Sequence, residues 1–293
     1  MRLRSLFLGI ALVAAAPASV LAATTPDFSA GPQYDTTHVY LAPQDVDAFV
    51  RSFAATFEGQ STKQGIATVT PTPSSTSTQV VQSPSGAVSV FGFRTPVPYP
   101  FGLERTGYLV TDLDAAIKAA EQAGAATVVT AFDDPIGRDA VISWPGGVNM
   151  QLYWHTKTPS YEPLRHVPEN RIYLPAASAA KFVQAFTRFA HGKVVSDDAK
   201  ASLTELGGTS GTYRRIRIES GYGKVSVLVT DGHLVWPYGR EVTGYEVDDL
   251  AAALARATQS GAQVLVPAHD EGDRHAAMLQ FPGGYIAEIH AAR

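Results

Sequence analysis

The chain repeats itself, and the repeat limits its possible folds more than any single motif does. Thr106-Gly107-Tyr108 leads into a helical run and then Trp144-Pro145-Gly146-Gly147, while Thr243-Gly244-Tyr245 leads into a similar run and then Phe281-Pro282-Gly283-Gly284. The offset is 137 residues at both ends (243 − 106 and 282 − 145), and Val88-Ser89-Val90 and Glu104 find Val225-Ser226-Val227 and Glu241 in the same register. A gap-free register over this length marks a duplicated structural unit, so the two halves are expected to fold alike.

The start of the chain reads as an address rather than as fold. Arg2 and Arg4 precede an apolar run from Leu6 to about Ala16, and Val20-Leu21-Ala22 supplies the small residues that a signal peptidase reads. Residues 1–22 are therefore expected to be a signal peptide, and the protein to be exported, either periplasmic or secreted. No segment after it has the length and apolarity of a membrane span. Cysteine is absent, which removes a disulfide framework and a thiolate site. A formal net charge of −4 with no basic tract argues against nucleic acid as the partner. No nucleophile elbow, phosphate loop or dinucleotide fingerprint occurs, so no nucleotide cofactor is expected.

Local pattern then orders the mature chain. Residues 23–35 contain Pro, Gly and Thr without periodicity and are expected to be a mobile leader. Thr37 to Leu41 reads as a strand, and from about Asp45 the residues Val46, Phe49, Val50, Phe53 and Phe57 fall on one helical face, with Gly59 as the stop. Strands follow near 66–70, 77–82 and 88–93, punctuated by Pro71, Pro73 and Pro84-Ser85-Gly86. The next unit repeats this order: strand 106–110, a helix capped by Asp112 and stopped at Gly124, then strands near 126–131, 138–143 and 148–153. Residues 156–168, with three prolines, read as a linker. Beyond it Asn170 to Leu174, Phe182, Phe186 and Gly192 repeat Thr37 to Leu41, Phe49, Phe53 and Gly59 at an offset of 133 (171 − 38), and a fourth unit begins at Thr243 with its helix capped by Asp249. The chain is thus read as α+β, four βαβββ units in two pairs: residues 36–155 and residues 169–293.

Four such units in pairs resemble the vicinal oxygen chelate superfamily, which includes glyoxalase I, extradiol dioxygenases and bleomycin-resistance proteins. His38 with Asp45 seven positions later is similar to that family's opening. Val110-Thr111-Asp112-Leu113 and Val247-Asp248-Asp249-Leu250 resemble its internal signature, and Pro145-Gly146-Gly147 and Pro282-Gly283-Gly284 resemble the turn before its last strand. The resemblance implies U-shaped mixed sheets with helices on the outer faces, each sheet cupping a divalent metal or simply a ligand. It implies metal ligands on the first, fourth and last strands. Here His38 stands at the first position and Glu288 at the last, but Arg171, Arg105, Val242 and Gln151 occupy the others. Only a pairing of the first unit with the fourth would bring His38 and Glu288 face to face, with His290 nearby, around one zinc, nickel or iron(II).

Strand alternation gives an independent reading of the faces. In the last strand Tyr285, Ala287 and Ile289 point one way and Ile286, Glu288 and His290 the other; its counterpart separates Val148, Met150 and Leu152 from Asn149, Gln151, Tyr153 and His155. The apolar sets are expected against the helices, together with the stripes Phe49, Phe53, Phe57 and Phe182, Phe186, Phe189. The concave face is expected to hold the metal ligands His38, Glu288 and His290, the base Glu246, and the ligand-binding residues Tyr40, Arg105, Gln151, Tyr153, Arg171 and Tyr173. Such a polar, aromatic-lined groove suits a small molecule. The segment from His269 to His275 aligns with the turn at Asp133 to Gly137 and is expected to be a solvated loop.

Two functions fit these residues. One is a metal-dependent lyase, isomerase or dioxygenase acting on vicinal oxygens, with the metal as Lewis acid and Glu246 as base. The other is a non-catalytic binder of the bleomycin-resistance type, in which the metal positions have been lost. The duplication lets a monomer supply what a shorter chain obtains by dimerising, so a monomer or homodimer is expected.

Overall fold

The computed structural model describes residues 25–231 and 240–293. The expected signal peptide lies outside them. Among the described residues no helix is long and apolar enough to cross a membrane.

The first unit is β1 (Thr36–Leu41), α1 (Val46–Phe57), a short arm of β2 (Gln60–Ser61) and β3 (Gly65–Ala67), then β4 (Thr76–Ser83) and β5 (Gly86–Phe93). The second is β6 (Thr106–Leu109), α2 (Leu113–Ala123), β7 (Ala126–Asp133), β8 (Gly137–Trp144) and β9 (Val148–His155). The third is β10 (Glu169–Leu174), α3 (Ala176–Ala190), β11 (Lys193–Ser202), β12 (Thr212–Ser220) and β13 (Gly223–Val229). The fourth is β14 (Glu241–Glu246), α4 (Leu250–Gln259), β15 (Gln263–Glu271), β16 (Arg274–Gln280) and β17 (Ile286–Ala292).

The helix ends follow their sequence signals, with two exceptions. Asp112 and Asp249 accept hydrogen bonds from the backbone N–H groups of Ala115 and Ala252, each satisfying a donor the first turn leaves free. The exceptions are α1 and α3, each ending one residue before its glycine: in α3 His191 (φ 49°) takes the left-handed conformation ahead of Gly192, and α1 ends in the same way. Glu58 rather than Gly59 takes the left-handed conformation (φ 54°), and both N–H groups return to the carbonyl of Ala54.

The sheets pair in chain order. One sheet runs β2-β4-β5-β1-β6-β9-β8-β7 with β3 beside β4, and the other runs β11-β12-β13-β10-β14-β17-β16-β15. In each, the seam between units is antiparallel: β1 against β6, with Thr36 opposite Gly107, and β10 against β14, with Glu169 opposite Gly244. This corrects the expected juxtaposition of His38 with Glu288, which lie in different sheets.

The crosswise pairing occurs among the helices instead. The outer faces of the two sheets are turned toward each other, so α1 packs with α4 and α2 with α3. Phe49, Phe53 and Phe57 meet Tyr245, Phe281 and Tyr285 of the other half. On the opposite flank Phe182, Phe186 and Phe189 meet Tyr108, Trp144, Met150 and Leu152. Each buried phenylalanine contributes about 1.5–3 kcal/mol relative to exposure. Because these contacts cross between halves, the halves stabilise each other.

A polar layer runs between the two aromatic flanks. Thr37 Oγ1 lies 3.2 Å from Thr243 Oγ1, and the Thr106 hydroxyl donates to the buried carboxyl of Glu241. The Thr-Gly-Tyr repeat gains its reason here. Its threonines and tyrosines, on one side of β6 and β14, enter this interior, while its glycines face the cups on the other side.

Residues 25–35 are not a loose leader. The backbone of Ser29 pairs with that of Val110, the Phe28 ring lies 5.4 Å from that of Phe189, and a 3₁₀ turn spans Pro32–Tyr34. The bridge to Val110 and the ring contact with Phe189 join residues far apart along the chain, which periodicity cannot reveal. The 156–168 segment is also anchored, with the N–H groups of Arg165 and His166 both donating to the Pro84 carbonyl.

Candidate functional site

The concave faces contain the residues that alternation placed there, but the two cups differ in kind. In the cup of the second sheet Arg171, with no exposed surface, is ringed by carboxylates. Its Nη1 lies 3.1 Å from Glu271 Oε1, 3.4 Å from Glu169 Oε1 and 3.5 Å from Glu288 Oε1. Arg274 reaches Glu169 at 2.8 Å, and Arg215 reaches Glu205 at 2.5 Å and Glu271 at 3.2 Å. His290 Nδ1 sits 2.8 Å from Glu288 Oε2. Tyr173, Leu228, Val242 and Met278 form a buried cluster on the same face.

Burial works against the charge on Arg171, yet Glu271 and Glu288 hold its pKa well above the usual value. Burial likewise opposes ionisation of Glu288, but His290, Arg171 and Arg274 keep its carboxyl below the ordinary range. Burial pushes the Tyr173 phenol up to about 12. Gly244 makes this arrangement possible, because a Cβ there would lie 2.4 Å from Glu288 Oε2 and 3.3 Å from Arg171 Cδ.

This cup does not suit a divalent metal. Glu288 and His290 bond to each other and to guanidinium groups, and a second cation would meet Arg171 where the carboxylates converge. The set named from sequence, His38 with Glu288 and His290, is not assembled, since His38 belongs to the other cup. Glu246, named as the base, stands at the margin of the second cup. Its carboxylate is 2.9 Å from Lys224 Nζ and 3.4 Å from His166 Nδ1. Burial opposes it, but the Lys224 hydrogen bond and charge hold its pKa low, so it is a poor proton acceptor.

The first cup is open. Thr36, His38 and Tyr40 of β1, Ser89 and Phe91 of β5, and Gln151, Tyr153 and His155 of β9 line a cavity of about 190 Å³. Gly107 provides space for it: a Cβ there would lie 2.6 Å from His38 Nε2 and 2.9 Å from Tyr153 Cε1. His38 is 2% exposed and packs edge-on to the Phe91 ring at 5.4 Å. Behind it lies Glu104, fully buried, accepting a hydrogen bond from the Tyr40 hydroxyl. Burial and the Glu104 charge raise the Tyr40 phenol well above its usual pKa. His38 Nδ1 is 3.8 Å from Glu104 Oε1, beyond hydrogen-bond reach, and has no hydrogen-bond partner among the described residues. Tyr153 is fixed from the leader, donating to the Tyr34 carbonyl at 2.5 Å.

Asp139 of β8, opposite Tyr153, also reaches the cavity. Burial and the neighbouring Asp134 push its carboxyl well above the normal range, against a hydrogen bond from Gln151. Burial lowers the pKa of His155. Arg105 does not line this cavity; its backbone carbonyl accepts from the N–H of His38 at 2.7 Å.

The structure thus divides the expected residues. His38, Tyr40, Gln151 and Tyr153 share the open cup, whereas Arg171, Tyr173, Glu288 and His290 fill the closed one. Sequence reasoning missed Glu104, Asp139 and Tyr161 in the first cup and Glu169, Arg215, Glu271 and Arg274 in the second. Alternation along β8 could have found Asp139. Glu271 is hidden in the sequence because its segment has the composition of a solvated loop, although β15 runs through it and its side chain is fully buried.

We expect Gly107→Ala to displace the His38 ring, shifting its imidazole NMR resonances, with a stability cost of about 1–3 kcal/mol from overpacking. Unmoved His38 resonances in a folded variant would disprove that role for Gly107.

Two sheets of paired βαβββ units, each concave on one face and helix-covered on the other, define the vicinal oxygen chelate fold in its duplicated form. The chain has this fold. A mutant of 4-hydroxymandelate synthase from Streptomyces coelicolor superposes with a TM-score of 0.62 at 12% identity, over 90% of this chain and 93% of that one. The Mn(II)-bound glyoxalase from Novosphingobium aromaticivorans matches at 0.56 and 13%, over 90% and 82%. The 2,2',3-trihydroxybiphenyl 1,2-dioxygenase from Sphingomonas wittichii matches at 0.56 and 13%, over 89% and 91%. No family of known sequences and no curated protein matches the chain.

Proposed function

We propose that the chain is exported and acts as a small-molecule-binding protein, with the open cup of the first sheet as its site and without a catalytic metal. The contrast between the cups carries this reading. The acidic cup is neutralised by its own arginines, whereas the open cup keeps a cavity lined by His38, Gln151 and aromatic rings, and among the described residues no group of three or more His, Asp or Glu side chains converges to hold a metal. The same scaffold supports both enzymes and binders, so these side chains rather than the fold make the difference.

The test combines elemental analysis with thermal unfolding of protein purified without chelator or a His-tag. The expected result is no stoichiometric metal and a Tm unaffected by a chelator or by added zinc, nickel, manganese or iron(II). A small-molecule screen should instead give ligands that raise the Tm. About one metal per chain, lost in His38→Ala, would refute the proposal and restore the metal-enzyme reading. Export is tested separately by sequencing the mature N-terminus, expected at Ala23.

A further inference from the structure

The open cup has a chemical bias. Among its lining residues there is no lysine or arginine, whereas Asp134 and Asp139 both reach the cavity and the buried Glu104 lies behind His38 and Tyr40. Tyr40, Phe91, Tyr153 and Tyr161 supply aromatic surface. Tyr40 and Phe91 lie with centroids 5.3 Å apart, and Asp139 is directly opposite Tyr153 in the β8–β9 ladder. Aromatic faces attract cations through their quadrupole, and a desolvated carboxylate adds to that attraction. A carboxylate or phosphate ligand would meet buried acids and find no cation among the lining residues to receive it.

We propose that the first cup binds an organic cation, a primary or quaternary amine carried on a single ring or short apolar chain, with the ammonium beside Asp139 and the apolar part against Phe91 and Val80. This inference rests on the reading of the cup as a binding site and adds the class of ligand. The volume of about 190 Å³ suits it, since a 150 Å³ cavity already admits benzene. Asp139 is only 6% exposed and keeps a hydrogen bond from Gln151, and an ammonium entering the cavity would favour its ionised form against the burial that opposes it.

Three probes of similar shape separate the possibilities: 2-phenylethylamine, 2-phenylethanol and 3-phenylpropanoate, titrated into the full mature chain while the His38 and His155 imidazole resonances are followed by NMR. The amine is expected to bind about tenfold tighter than the alcohol, and the carboxylate weakest. Asp139→Asn should abolish the preference for the amine while the alcohol still binds. An alcohol or carboxylate that binds the wild-type cup as tightly as the amine would overturn the cation assignment alone. The same conclusion would follow if the preference survived in a folded Asp139→Asn variant. If no probe moved either imidazole, both this inference and the reading of the cup as the ligand site would fall. The wild-type comparison does not depend on the variant folding.

Discussion

Arg171→Met is expected to destabilise the protein by about 3–5 kcal/mol, measured by denaturant unfolding at pH 7. The guanidinium lies within 3.5 Å of Glu271, Glu169 and Glu288, each at most 3% exposed at the side chain. Methionine fills similar space but leaves those carboxylates buried with much of their positive charge removed. The loss should be smaller at acid pH, where Glu169 and Glu288, whose carboxyls Arg171 helps to hold below the ordinary range, can protonate. Arg171→Lys should fall between, because one ammonium cannot reproduce the fork that a guanidinium presents to several carboxylates. Adding Glu271→Gln to Arg171→Met should recover part of the loss, since one buried charge is then removed. An Arg171→Met variant as stable as wild type at pH 7 would show that the closed cup does not depend on this cation.

Glu241→Gln is expected to stabilise the protein above pH 7 by about 3 kcal/mol. Glu241 lies in the polar layer between the sheets, where burial pushes its carboxyl up to about 7 from an ordinary 4.5, against the hydrogen bond from Thr106. Between these two values the folded chain retains a proton that the unfolded chain has released. Stability from this group therefore falls as pH rises from 4.5 to 7, and above pH 7 the full cost remains. Glutamine keeps an acceptor for Thr106 without the charge. The difference in stability between variant and wild type should grow through that window and then level off. A difference that stayed flat from pH 4.5 to 8 would mean that Glu241 is ionised without penalty.

Together these residues divide the work between the halves. The second cup has exchanged ligand space for an internal ion network and an apolar cluster, while the first keeps its cavity. The aromatic contacts that cross between halves let the closed half support the open one.

Much of this was legible in the sequence because it depends on period and position. The offset of 137 gave the duplication, Asp112 and Asp249 gave helix starts, and alternation in β9 and β17 separated core from cup. Met150 faces the helices and Gln151 the cavity because neighbouring side chains on a strand must point to opposite faces. The swapped sheet pairing failed for a different reason. Local pattern cannot say which unit lies beside which, and the crosswise arrangement belongs to the helices, driven by Phe53 and Phe186 burying against the opposite half.

The sequence by itself determined the units, their duplication and the face on which each strand residue lies, since these follow from backbone period, capping and turn chemistry within short stretches. Only the tertiary structure decided that His38 and Glu288 occupy different cups, that Arg171 closes one of them, and that Asp139 and Glu104 give the other its acidic character. Those outcomes depend on charges and cavities formed by residues up to a hundred positions apart or more, as with Arg171 and Glu271. Their energies exist only once the chain has excluded water from between them.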